Sequence, residues 1–108
     1  AFGAEHEWTA WGRICLAEVR LASGDATEAA DLAEHAAAAL ERGYGADHSV
    51  TATTLTLRAR ALLALNRSTE AAALLQRALD VHRNHDDVDA QNAAAELLHR
   101  ALAASTKH

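Results

Sequence analysis

Apolar positions recur along this chain with the spacing of helices rather than strands. From about Glu7 to Ala22, Trp8, Trp11, Cys15 and Val19 fall on one side of a helix. Ser23-Gly24 ends that helix, because glycine supplies the left-handed residue that closes it. Asp25-Ala26-Thr27-Glu28 then matches a capping box with Asp in place of Ser or Thr. The second helix runs to about Arg42, with Ala29, Leu32, Ala33, Ala36 and Leu40 inward, and Gly43-Tyr44-Gly45 breaks it. A third helix is predicted from about Ser49 to Leu65 and a fourth from about Ser68 to Arg83. A fifth opens at Asp86 or Asp87 and carries Leu97, Leu98, Ala101 and Leu102 toward the C-terminus. The pattern predicts an all-α fold of antiparallel helix hairpins: two hairpins plus a C-terminal capping helix.

The hairpins are copies of one another. Phe2-Gly3-Ala4-Glu5-His6-Glu7-Trp8-Thr9-Ala10 aligns with Tyr44-Gly45-Ala46-Asp47-His48-Ser49-Val50-Thr51-Ala52, an offset of 42 residues. The same offset carries Ala17 onto Ala59, Leu21 onto Leu63 and Gly24 onto Asn66. It also carries Thr27-Glu28-Ala29-Ala30 onto Thr69-Glu70-Ala71-Ala72. A degraded third copy opens at Asp86, where Val88 matches Val50 at an offset of 38, so its connector is shorter. Repeat 1 spans about 3–44, repeat 2 about 45–85 and the capping helix about 86–104, within a single domain of residues 1–108. Ala17, Ala29 and Ala36, with their copies Ala59, Ala71 and Ala78, are positions where helix backbones approach closely and larger residues would overpack.

Gly24-Asp25-Ala26-Thr27-Glu28-Ala29, followed by Leu32 and Ala36, resembles the second helix of a tetratricopeptide repeat, as does Asn66-Arg67-Ser68-Thr69-Glu70-Ala71. The long period and the Gly-Ala-Glu/Asp-His signature, Gly3 to His6 and Gly45 to His48, are similar to the kinesin light chain variety. The usual proline after the second helix is absent, and Asn66 replaces a turn glycine. The resemblance implies a tetratricopeptide-like α-solenoid and a protein- or peptide-binding scaffold within a larger regulatory protein, of a kind common in bacteria. The alternative it leaves open is an oligomerisation or structural spacer module with no separate ligand. By analogy with the family, the first helix of each hairpin lines a groove. Trp11, Ile14, Glu18, Thr53, Thr56, Leu57 and Arg60 are then the candidate partner-binding residues, with Arg60 a carboxylate anchor. Trp8 and Trp11 serve either as partner anchors or as packing for a preceding repeat.

Composition narrows the function. The 108 residues hold no proline, half are apolar, and the net charge is −5. No run of Lys or Arg offers a footprint for nucleic acid or anionic lipid. No apolar stretch reaches the roughly 18 residues of a membrane span. Cys15 is the only cysteine, which fits a reducing, cytoplasmic setting and, in its apolar surroundings, a buried thiol. Methionine is absent, so Ala1 reads as an internal residue of a longer protein. The first helix would then expose Trp8, Trp11 and Ile14, from which self-association through that helix is expected.

Nothing assembles a catalytic set. There is no nucleophile elbow, no phosphate loop (Gly43 and Gly45 lack the accompanying lysine) and no paired acidic motif. Ser23, Ser49 and Ser68 read as caps at helix boundaries. His82, His85, Asp86 and Asp89 have ligand-like spacing but straddle a helix end, so they read as a solvated terminus rather than a metal site. His6 and His48 read as repeat-turn residues hydrogen-bonded near a helix start. No cofactor and no catalytic or metal site are expected.

Overall fold

The computed structural model describes residues 2–45 and 47–106, with side chains described for 10–45 and 47–104. Five helices follow in order: α1 (Phe2–Ala22), α2 (Ala26–Tyr44), α3 (Ser49–Ala64), α4 (Ser68–Asn84) and α5 (Val88–Thr106). Each packs on the next, while α3 touches α1 and α5 only lightly. The molecule is therefore a stack of antiparallel neighbours in two layers, with α1, α3 and α5 on one side.

Three of the four reversals share one hydrogen-bond pattern. After α1 the Asp25 N–H donates to the Arg20 carbonyl at 2.8 Å and the Gly24 N–H to Leu21 at 3.1 Å. Arg67 and Asn66 repeat this on Leu62 and Leu63, and Asp87 and Asp86 on His82 and Arg83. These are Schellman closures, which need a left-handed residue at the second-last position. Gly24 (φ 90°), Asn66 (φ 62°) and Asp86 (φ 55°) supply it. The next helix starts at once: Asp25 accepts from the Glu28 N–H and Asp87 from the Ala90 N–H. Arg67 has no capping side-chain bond and instead grips the Glu70 carboxylate, at 2.7 Å from its closer oxygen.

The α2–α3 connection is built differently. Gly45 takes φ 96°, and Thr51 Oγ1 donates to its carbonyl at 3.0 Å. His48 caps α3, its Nδ1 accepting from the Val50 N–H at 3.1 Å, as its turn position led one to expect. The serines are not the caps: Ser23 donates back to Val19, and Ser49 and Ser68 lie inside their helices. The matching segment Gly3–His6 is not a turn either, because α1 already runs through it. Ala4, Glu5 and Glu7 are strong helix formers and continue α1 through this segment. The His6 and Trp8 side chains lie outside the described residues.

Alanine governs the packing. Ala17, Ala29, Ala36, Ala59, Ala71 and Ala78 are all fully buried. They let helices close to short range while Leu40, Leu62 and Leu75 fill what remains. One cluster joins Ala29 and Ala30 of α2 to Ala61 and Leu62 of α3, Leu75 of α4 and Ala101 of α5. Charge pairs Arg20–Glu28 (3.3 Å) and Arg58–Glu34 (3.9 Å) bridge α1 to α2 and α2 to α3. Leu102 is 52% exposed, because the side of α5 turned to the stack runs through buried Ala94 and Ala101 and half-buried Leu97 and Leu98. That stripe aligns with Thr54, Leu57, Arg58 and Ala61 at an offset of 40 rather than 38. Val88 is 62% exposed and does not take the packed place of Val50.

Candidate functional site

Helical periodicity places Trp11, Ile14 and Glu18 along one edge of α1, and Thr53, Thr56, Leu57 and Arg60 along the facing edge of α3. The structure brings all seven to the face where α1, α3 and α5 lie side by side. Two neighbouring depressions occupy it. The first, about 170 Å³, is lined by Trp11, Ile14, Glu18, Val50, Thr53, Thr54 and Leu57. The second, about 160 Å³, shares Glu18, Thr53 and Leu57 with it and continues over Thr56 and Arg60 to His82, Ala90 and Ala93. The shared residues make the two hollows one trough.

The trough is apolar at one end and polar at the other. Trp11 is 43% exposed over half-buried Ile14, and Leu57 forms the floor. The α3 threonines are turned inward on their own helix: Thr53 Oγ1 donates to Ser49, Thr54 to Val50 and Thr56 to Ala52, at 2.9–3.1 Å. Each hydroxyl proton is thus committed, leaving oxygen lone pairs as the side-chain polarity facing outward. Arg60 is exposed at the far end and has no ion pair among the described residues. Its guanidinium is available for a carboxylate in a two-bond geometry.

His82 is the residue that sequence reasoning missed. Its spacing with His85, Asp86 and Asp89 reads as a solvated helix end, yet it is 98% buried where the last turn of α4 meets α5, and its Nδ1 has no hydrogen-bond partner among the described residues. Burial pushes the imidazole below the ordinary histidine value; Asp87 opposes this and His85 adds to it. The cause of its burial is the short Schellman turn, which folds α5 back directly over it. The available signal was that turn: His82 precedes the left-handed Asp86 by four residues, as Leu62 precedes Asn66.

Cys15 is also corrected, since it is exposed on the side of α1 away from α2. Its neighbours in sequence are apolar, but no described helix covers that side. Among the described residues, no group of three or more His, Cys, Asp or Glu is placed to hold a metal ion. No described helix is long and apolar enough to cross a membrane. A family model described as tetratricopeptide repeat matches residues 8–84, and the light-chain-type period is consistent with it. A search of curated proteins found no match.

Proposed function

Because the chain belongs to the tetratricopeptide repeat family, we propose that it is a protein- or peptide-binding scaffold module of a larger regulatory protein, holding its partner along the α1–α3–α5 trough. Repeats of this family generally mediate protein–protein interaction and form non-catalytic scaffolds. The observation that carries the reading is the continuity of the trough. Trp11, Ile14 and Leu57 offer an apolar seat at one end, and Arg60 a cation at the other that has no ion pair among the described residues. Such a surface suits an extended segment better than a small rigid molecule, since the two hollows are shallow and joined. The module performs no chemistry of its own in this reading and works in the cytoplasm.

Selection of displayed random peptides on the immobilised chain tests it. Enriched peptides should bind at least tenfold more weakly to Trp11→Ala and to Arg60→Ala. They should bind unchanged to Arg77→Ala, which lies on the opposite layer. Peptides that ignore both trough variants, or no enrichment at all, would remove the trough as the binding face.

A further inference from the structure

The two hollows of the trough are repeat copies of one another, and the substitutions between them change the floor of the second. The 42-residue offset carries Ile14 onto Thr56, Glu18 onto Arg60 and Leu40 onto His82. The 40-residue register of α5 carries Val50 onto Ala90. In the first hollow Ile14 and Val50 pack against Leu40, which is 1% exposed and lies beneath the lining. In the second, threonine and alanine stand where those two large side chains were, and His82 enters the lining beside them. An apolar plug has become a polar floor. His82 is 2% exposed, yet its Nδ1 has no hydrogen-bond partner among the described residues. Leaving a buried polar atom unpaired is costly, and the packing of α4 does not call for it, since Leu40 fills the equivalent place in repeat 1.

We propose that the second hollow is a subsite for a lysine side chain of the partner segment, its ammonium donating to the threonine oxygens and the His82 imidazole and facing the Glu18 carboxylate. This deepens the trough reading and rests on it. The lining consists mainly of acceptors. Thr53 and Thr56 commit their hydroxyl protons to Ser49 and Ala52 and leave lone pairs outward. Glu18 is exposed and has no ion pair among the described residues. A neutral imidazole carries a lone pair on one nitrogen, and burial favours the neutral form of His82. Leu57, Ala90 and Ala93 give the rest of the wall an apolar surface for the methylene stem. An ammonium has three donors and no acceptor, the complement of such a lining. The acceptors come from α1, α3 and α4, which suits a compact ammonium better than a guanidinium with its donors in one plane. A carboxylate would meet lone pairs inside the hollow and belongs at the rim, with exposed Arg60.

The probe is Nα-acetyl-lysine amide, titrated into the isotopically labelled whole chain and followed by amide chemical shifts. Saturable shifts are expected at Thr56, Ala90 and Ala93. Nα-acetyl-norleucine amide keeps the stem without the charge and should bind at least about tenfold more weakly, the loss of hydrogen bonds to a charged group. Nα-acetyl-glutamate amide should bind no better than the norleucine derivative. Thr56→Ile and His82→Leu restore the residues of repeat 1, and each should abolish the preference for lysine over norleucine. Thr56→Ile alone decides the matter should His82→Leu unfold. Arg77→Ala, on the opposite layer, should leave the shifts unchanged. Absence of saturable shifts overturns the proposal, as do equal affinities for the lysine and norleucine derivatives or a lysine preference that persists in Thr56→Ile. Selected peptides that depend on Trp11 and Arg60 while the lysine derivative fails would remove the subsite and keep the trough.

Discussion

The imidazole of His85 reaches back 38 residues to Asp47, its Nε2 lying 2.8 Å from the backbone carbonyl. Nε2–H is the donor in that contact, and it fastens the α4–α5 turn to the connection between α2 and α3. Two loops that share no helix are thus tied across the edge of the stack. The bond is exposed, so its net worth is at the low end for a neutral hydrogen bond, about 0.5–1 kcal/mol. His85→Ala should lower the free energy of unfolding in urea by that much, and hydrogen exchange should quicken in the Asp87–Ala90 turn. An unchanged midpoint with unchanged exchange would mean that the contact contributes nothing in solution.

His82 should make the fold sensitive to mild acid. Its imidazole is held below the ordinary histidine value by burial, so the unfolded chain takes up a proton more readily than the folded one. Stability contributed by neutral His82 is full above the unfolded value, about 6.5, and falls as the pH drops from there towards the folded value. Binding one proton limits the slope to about 1.4 kcal/mol per pH unit. His82→Leu removes both the proton site and the unpartnered Nδ1. Its melting temperature should therefore fall less than that of the wild type between pH 7.5 and 5.5. Parallel curves for the two proteins would show that other groups carry the acid sensitivity.

What could be read from the sequence was what local chemistry and the repeat determine together. Gly24 and Asn66 mark left-handed turn positions whatever surrounds them, and the six repeated alanines announce close approach because they recur at one offset. The trough edges on α1 and α3 were legible for the same reason. The contribution of α5 was not, since its register slips to 40 and Ala90 and Ala93 cannot be placed from the 42-residue copy. Burial that depends on a neighbour was misread in both directions. Cys15 looked buried among apolar neighbours but no described helix covers it, and His82 looked solvated until α5 folded over it. Periodicity names the face of a helix; only the stack says what lies against that face.

The alanine stripe yields a paired test. Ala29 and Ala71 are repeat equivalents, both fully buried, at α1–α2 and α3–α4 contacts and in the cluster that spans α2 to α5. Ala29→Leu and Ala71→Leu should each overpack a helix pair and destabilise by about 1–3 kcal/mol in urea unfolding. Ala29 sits between α1 and α3 as Ala71 sits between α3 and α5, so the two variants should lose similar stability. An unchanged midpoint for either would mean that its site is not a close helix contact.

The three Schellman turns offer an internal comparison, because the hydrogen bonds match while the left-handed residue changes from Gly24 to Asn66 to Asp86. A side chain in the left-handed region costs about 1–2 kcal/mol, less for Asn and Asp, whose short polar groups bond locally. Gly24→Ala should therefore destabilise by about 1 kcal/mol from the backbone alone, since a Cβ there meets nothing within 4 Å. Asn66→Gly should be close to neutral, because relief of the left-handed strain is offset by the added freedom of the unfolded chain. Asp86→Gly should likewise be close to neutral, since Asp tolerates the left-handed region for the same reason as Asn. Thermal unfolding of the three variants checks this order. If Gly24→Ala is neutral, the turn is not held at positive φ, and the shared closure does not govern how these hairpins reverse.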